Sequence, residues 1–337
     1  MNQNINVPEA RQQAHASLDA AGFFTEKTIE AFNLPPVELA DNGEKPAIAY
    51  ATYGNMDEAK TVVLEATPYS TNVDFEQIQL RMAAHQAALG PDFCVVSIQG
   101  FVADPKAFNK ADREQFAKGS FAPITERMLR VADAVGIKDN QAVFAYGYSL
   151  GADAAVDLTH AVLTDPNRGT INITAVGAME AARVMDRPRA AVLLAQNKSG
   201  KKLYQNSIDS NMPALNLALG IDLADPASKE KYDKEVMRGV TRYAFSSKLG
   251  NLAIMKAFGS DLSAKQLTEI LKKTYATVVV GRQTESTISS HQLLEDLLKN
   301  DRDGLYLLEE TNDHSADDNI RHSAGRIVWA STKAGFK

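Results

Sequence analysis

A single cysteine, Cys94, occurs in the 337 residues. One thiol can neither close an intramolecular disulfide nor build a cysteine-based zinc site, which excludes disulfide-stapled and zinc-ribbon architectures. Cys94 lies in the apolar run 93–96 and reads as a buried strand residue, not a reactive thiol. No apolar run approaches the roughly 18–20 residues needed to span a bilayer. The start, Met1-Asn2-Gln3-Asn4, has neither the basic opening nor the apolar stretch of a secretory signal. A cytoplasmic location with no membrane partner is expected. Long basic blocks are also missing and the net charge is −6, which argues against a nucleic-acid partner. Internal repeats and low-complexity segments are absent. Asp313, His314, Asp317 and His322 could ligate a metal by residue type, but their spacing matches no strong motif. Neither metal nor cofactor is expected.

What is present suits a soluble globular protein: 45% hydrophobic and 23% charged residues, enough to bury a core that excludes water from a site. Residues 1–36 are polar and helix-like, ending at Pro35-Pro36, and read as an N-terminal helical extension. Strand patterns then follow at 48–53, 61–64, 94–98, 142–146 and 171–176, with helical patterns between them at about 75–83, 128–135 and 152–164. This alternation predicts a mostly parallel sheet with helices on both faces. The strand rhythm lapses over 181–272, where the segments 190–196, 215–219, 232–245 and 264–271 look helical. It returns at 276–280 and 305–308, with helices expected over 291–299 and 318–332. Residues 37–180 and 273–337 therefore read as the core, and 181–272 as a helical lid or cap.

The strongest chemical signal is Gly147-Tyr148-Ser149-Leu150-Gly151, set between a strand and a helix. A serine on so sharp a turn takes a strained backbone that lifts its hydroxyl above the strand ends, and only small residues two positions away let strand and helix approach. A serine hydroxyl needs a base to take its proton. Of the six histidines, His314 follows the last strand in the loop before the final helix, at the sheet edge where Ser149 also lies. His160 and His322 fall within helices and read as structural. Glu285, the carboxylate in the loop after strand 276–280, would orient the histidine and gives the chain order serine, acid, histidine. Glu180, in the loop after strand 171–176, is the alternative acid. Backbone N–H donors for the oxyanion are expected from Leu150 and from Thr67 or Tyr69; Pro68 has none to offer.

On these residues the sequence resembles the α/β-hydrolase superfamily over nearly its whole length. The run from Ala47 to Gly54 is similar to the family's second strand, 61–64 to its third, 181–272 to its cap, and His314 before a terminal helix to the usual end of the fold. The resemblance implies an α/β-hydrolase fold and a serine hydrolase, most simply a carboxylic ester hydrolase, with small amides, lactones or thioesters close behind as substrates. Its substrate would be a small molecule, with Met212-Pro213-Ala214-Leu215 and Leu217-Ala218-Leu219 supplying apolar surface for an acyl group. Two departures from the family pattern stand in the sequence. Glu65-Ala66-Thr67-Pro68 occupies the place of a His-Gly pair, and Thr284 holds the usual position of the acid, one residue before Glu285. They motivate a second reading, a hydrolase-like fold that binds a ligand with weak or no turnover.

Overall fold

The computed structural model describes residues 7–20, 35, 38–40, 48–67, 72–99, 109–118, 120–165, 167, 171–179, 262–281, 305–310 and 320–336. Eight strands among them form one sheet: β1 Glu38–Ala40, β2 Ile48–Tyr53, β3 Thr61–Ala66, β4 Phe93–Ile98, β5 Ala142–Tyr148, β6 Ile173–Met179, β7 Tyr275–Gly281 and β8 Leu305–Glu310. Their order is β1-β2-β4-β3-β5-β6-β7-β8. β1 and β2 run antiparallel to their neighbours, and the remaining pairs are parallel. β3, β4 and β5 are buried along nearly their whole length, as expected of strands covered on both faces.

Side chains alternate across β3: Val62, Leu64 and Ala66 join one core cluster, while Val63 joins the other. The first cluster is closed by α4 Ala122–Val135, α5 Leu150–Thr164 and α6 Leu262–Ile270. The second lies under α1 Val7–Ala20, α2 Asn72–Leu89 and α7 Ile320–Lys333, and a short α3 spans Lys110–Ala117. α4 shows how the sequence sets an element's limits. Ala122 N–H donates to Ser120 Oγ at 3.2 Å, Pro123 sits in the first turn where its missing N–H costs nothing, and Gly136 ends the helix in the left-handed region at φ 69°.

Most expected strands and helices are present, with several boundaries moved outward. β3 continues through Glu65 and Ala66, β5 runs on to Tyr148, and α5 begins at Leu150 directly after the serine. β1 and α3 are additions; β1 has only three residues, too few for a periodicity. Two helices show how the outer segments pack. α1, in the expected N-terminal helical extension, packs on the second core: Ala10, Ala14 and Leu18 are fully buried there, and Arg321 of α7 donates to Asp19 at 2.9 Å. α6 falls within the stretch expected to form a lid, yet Leu267 and Ile270 are buried in the first core. That end of the insertion belongs to the covering layer. The expected helices 190–196, 215–219, 232–245 and 291–299 lie outside the described residues. No helix among the described residues is long and apolar enough to cross a membrane.

Candidate active site

The parallel strands end at one level. Tyr148 pairs with Met179, Met179 with Val279, and Val279 with Leu308. The segments leaving β5, β6, β7 and β8 therefore start from one edge of the sheet, where open α/β sheets bind their ligands.

At the end of β5 the chain turns within one residue. Ser149 has φ 56° and ψ −125°, and it is the single non-glycine residue with positive φ among the described residues. Such a conformation costs about 1–3 kcal/mol and persists only where its surroundings over-determine it. Here they do. Ser149 N–H donates to the Met179 carbonyl at 2.9 Å, and Ser149 O accepts from Ala152 N–H at 3.0 Å. A Cβ at Gly147 would lie 2.1 Å from the Gly151 carbonyl oxygen, and a Cβ at Gly151 would lie 2.1 Å from the Ala66 carbonyl oxygen. Both glycines are therefore steric requirements, and the start of α5 rests directly on the end of β3. Ser149 is partly exposed, whereas Tyr148 and Leu150 are buried.

Leu150 is the first residue of α5, so its N–H has no carbonyl partner within the helix and sits at the positive end of the helix dipole. This suits it to an oxyanion donor. Thr67 is different. It is fully buried beside the elbow, its carbonyl oxygen 3.0 Å from where a Gly151 Cβ would stand. Its N–H, however, donates to the Ile98 carbonyl at 2.9 Å, so the expected backbone donor at Thr67 is committed to the sheet. The Thr67 hydroxyl has no hydrogen-bond partner among the described residues.

Tyr69, Glu180, Glu285 and His314 lie outside the described residues. Their anchor points are inside them: Glu180 follows Met179 directly, Glu285 comes four residues after Gly281, and His314 four residues after Glu310. His160 is half-buried on α5 with its carbonyl accepting from Thr164 Oγ1, and His322 lies on α7. Cys94 is fully buried on β4, and burial pushes its thiol up to about 12, which removes it as a nucleophile.

Sequence reasoning passed over the polar residues behind the elbow. Glu65, on the β3 face opposite Leu64, meets His85 of α2, which in turn meets Ser323 of α7. The Arg81 guanidinium lies 5.6 Å from the centre of the ring of Tyr148, the residue before Ser149. Tyr53, buried on β2, has its phenol ionisation pushed far upward, by burial first and the Glu65 carboxylate second. One signal was available: a carboxylate inside the apolar run Thr61-Val62-Val63-Leu64-Glu65-Ala66.

No protein-family model matches the sequence, and no curated protein matches it either. Solved structures do match. A carboxylesterase from Bacillus subtilis, CesB (YbfK), is similar with 13% identity and a TM-score of 0.54, over 97% of this chain and 99% of its own. This chain has the α/β-hydrolase fold. A bromoperoxidase from Bacillus anthracis is 13% identical with a TM-score of 0.51, over 86% of this chain and 96% of its own. The thioesterase domain of the curacin biosynthetic pathway is 12% identical with a TM-score of 0.50, covering 88% and 99%. At these identities the likeness establishes architecture, and chemistry must be argued from the site.

Proposed function

We propose that the protein is a serine hydrolase that transfers an acyl group to water through an acyl-Ser149 intermediate. The observation that carries this reading is the strained Ser149 backbone, fixed between two glycines that tolerate no Cβ. An ordinary turn serine has no reason to be held so. Ser149 Oγ attacks the substrate carbonyl carbon while His314 takes its proton. The tetrahedral oxyanion is met by Leu150 N–H and by a second donor, the Thr67 hydroxyl or Tyr69 N–H. His314 then protonates the leaving alcohol, and a water deprotonated by the same histidine releases the acid. Glu285, or Glu180 in its place, holds the imidazole in the required tautomer.

Chain lengths support this assembly. Adjacent strands lie about 4.8 Å apart, so β8 stands about 14 Å from β5. Four extended residues span at most about 14 Å, enough for His314 to reach back from Glu310. Carboxylic esters are the substrate class we adopt, and thioesters come second because a carboxylesterase and a thioesterase domain share the architecture. Mixing the protein with excess p-nitrophenyl butyrate tests the proposal. A burst of p-nitrophenol equal to the enzyme concentration, followed by steady turnover and absent in Ser149→Ala, is the expected result. Turnover that survives Ser149→Ala would refute it.

A second reading, ligand binding with little turnover, is favoured by one observation: the Thr67 N–H is spent on Ile98. A burst without subsequent turnover would select it.

A further inference from the structure

On the sheet face under α1, α2 and α7, three polar side chains form a line that the acyl-transfer steps do not use. His85 Nδ1 lies 2.8 Å from Glu65 Oε2, and His85 Nε2 lies 2.7 Å from Ser323 Oγ. His85 and Ser323 are fully buried and Glu65 is 1% exposed. Carboxylate, imidazole and hydroxyl follow one another as in a catalytic triad, but no substrate can reach them. The line is sealed in the core, with the Tyr146 ring edge-on to His85 at 5.9 Å.

Stability alone is a poor reason for such a line. Replacing a buried polar or ionic network with apolar side chains of similar volume is often neutral or stabilising. What apolar packing cannot supply is direction, because hydrogen bonds fix distance and angle together. The groups held here bear on the site. Glu65 precedes Ala66 and Thr67, the two residues on which Gly151 rests. Tyr146 is three residues before Ser149 on β5. Ser323 belongs to α7, the helix that follows the His314 segment. One imidazole thus connects the strand end beside the oxyanion donors, the strand end that carries the nucleophile, and the helix after the base.

We infer that Glu65, His85 and Ser323 are positioning residues that hold the ends of β3 and β5 in fixed relation, keeping the oxyanion donors aimed at the oxygen of a group on Ser149. The inference rests on the serine-hydrolase reading. Its role is geometric: none of the three touches substrate.

The test uses the full chain and a fluorophosphonate probe, whose phosphoryl oxygen occupies the oxyanion position in the adduct. Labelling rates over a range of probe concentrations separate the maximal rate from the half-saturating concentration. Glu65→Gln and Ser323→Ala lower the maximal rate roughly 10- to 100-fold, the scale of a donor displaced by about 1 Å, and leave the half-saturating concentration unchanged. Ser323→Thr, which keeps the hydroxyl, restores the rate. Thr125→Val, which breaks a buried polar contact on the opposite face, lowers the melting temperature and leaves the rate per folded molecule at the wild-type value. If Glu65→Gln does not fold, Ser323→Ala decides alone. Folded variants that label like wild type, melting lower or not, overturn the inference and leave the function intact. A wild type that never labels overturns both.

Discussion

The two faces of the sheet use buried polar groups in different places. Under α4, α5 and α6 the core cluster on the strands is built of apolar side chains such as Ile124, Met128, Leu158 and Leu267, and one polar cluster stands between helices. Asp157 of α5 accepts from Thr125 of α4 at 2.8 Å and from Gln266 of α6 at 2.5 Å, near the surface at 8% exposure. Under α1, α2 and α7 the polar line starts on a central strand, at Glu65, and has no contact with solvent. The first cluster fastens helices to one another, including the helix that closes the long insertion. The second fastens the covering layer to the strand next to the elbow. Where a polar group is placed relative to the site tells more about its use than how deeply it is buried.

The comparison can be broken in several ways. The largest effect is expected at the junction between faces: Gly151→Val places carbon atoms against the Ala66 carbonyl, so the variant should lose more than about 4 kcal/mol or fail to fold. Soluble expression and urea denaturation would show it. Next is His85→Ala, which removes the imidazole from beside the buried Glu65 carboxyl. A loss of about 3–5 kcal/mol is expected, as for a broken buried pair. The triple variant Glu65→Leu, His85→Leu, Ser323→Ala removes the whole line and should recover much of that loss without recovering labelling. Leu18→Ala probes whether α1 supports this face; a cost of about 2–5 kcal/mol is expected of a fully buried leucine, and near zero would mean that it does not. Thr125→Val on the other face should cost about 1 kcal/mol, because Asp157 keeps its bond to Gln266. Smallest is the reactivity of Cys94. With its thiol pushed up to about 12 by burial, native protein should resist maleimide at mildly alkaline pH and react once unfolded in urea.

The legibility of the sequence divides along the same line. Apolar strands such as Cys94-Val95-Val96 and the Gly147 to Gly151 turn are local patterns, and local patterns carried both the architecture and the sharp turn at Ser149. The Glu65–His85–Ser323 line joins residues 20 and 238 positions apart in the chain, and no periodicity links them. Glu65 alone stood out as a carboxylate inside a β-branched run, but its partners are set by the packing of α2 and α7 on the sheet. The hydrogen bond of Thr67 is hidden from the sequence for a related reason. Its N–H is taken by a strand neighbour, a matter of register that the sequence does not display. The packing of α6 on the first core was not legible, because helical periodicity marks an amphipathic helix without saying which layer receives its apolar side.

The most direct measurement is intact mass after exposure to a fluorophosphonate, on wild type, Ser149→Ala and His314→Ala, each shown to be folded by circular dichroism. The account predicts one adduct on wild type, none on Ser149→Ala, and a trace on His314→Ala. A well-folded wild type that takes no adduct, or a Ser149→Ala protein that is labelled as readily as wild type, would contradict it.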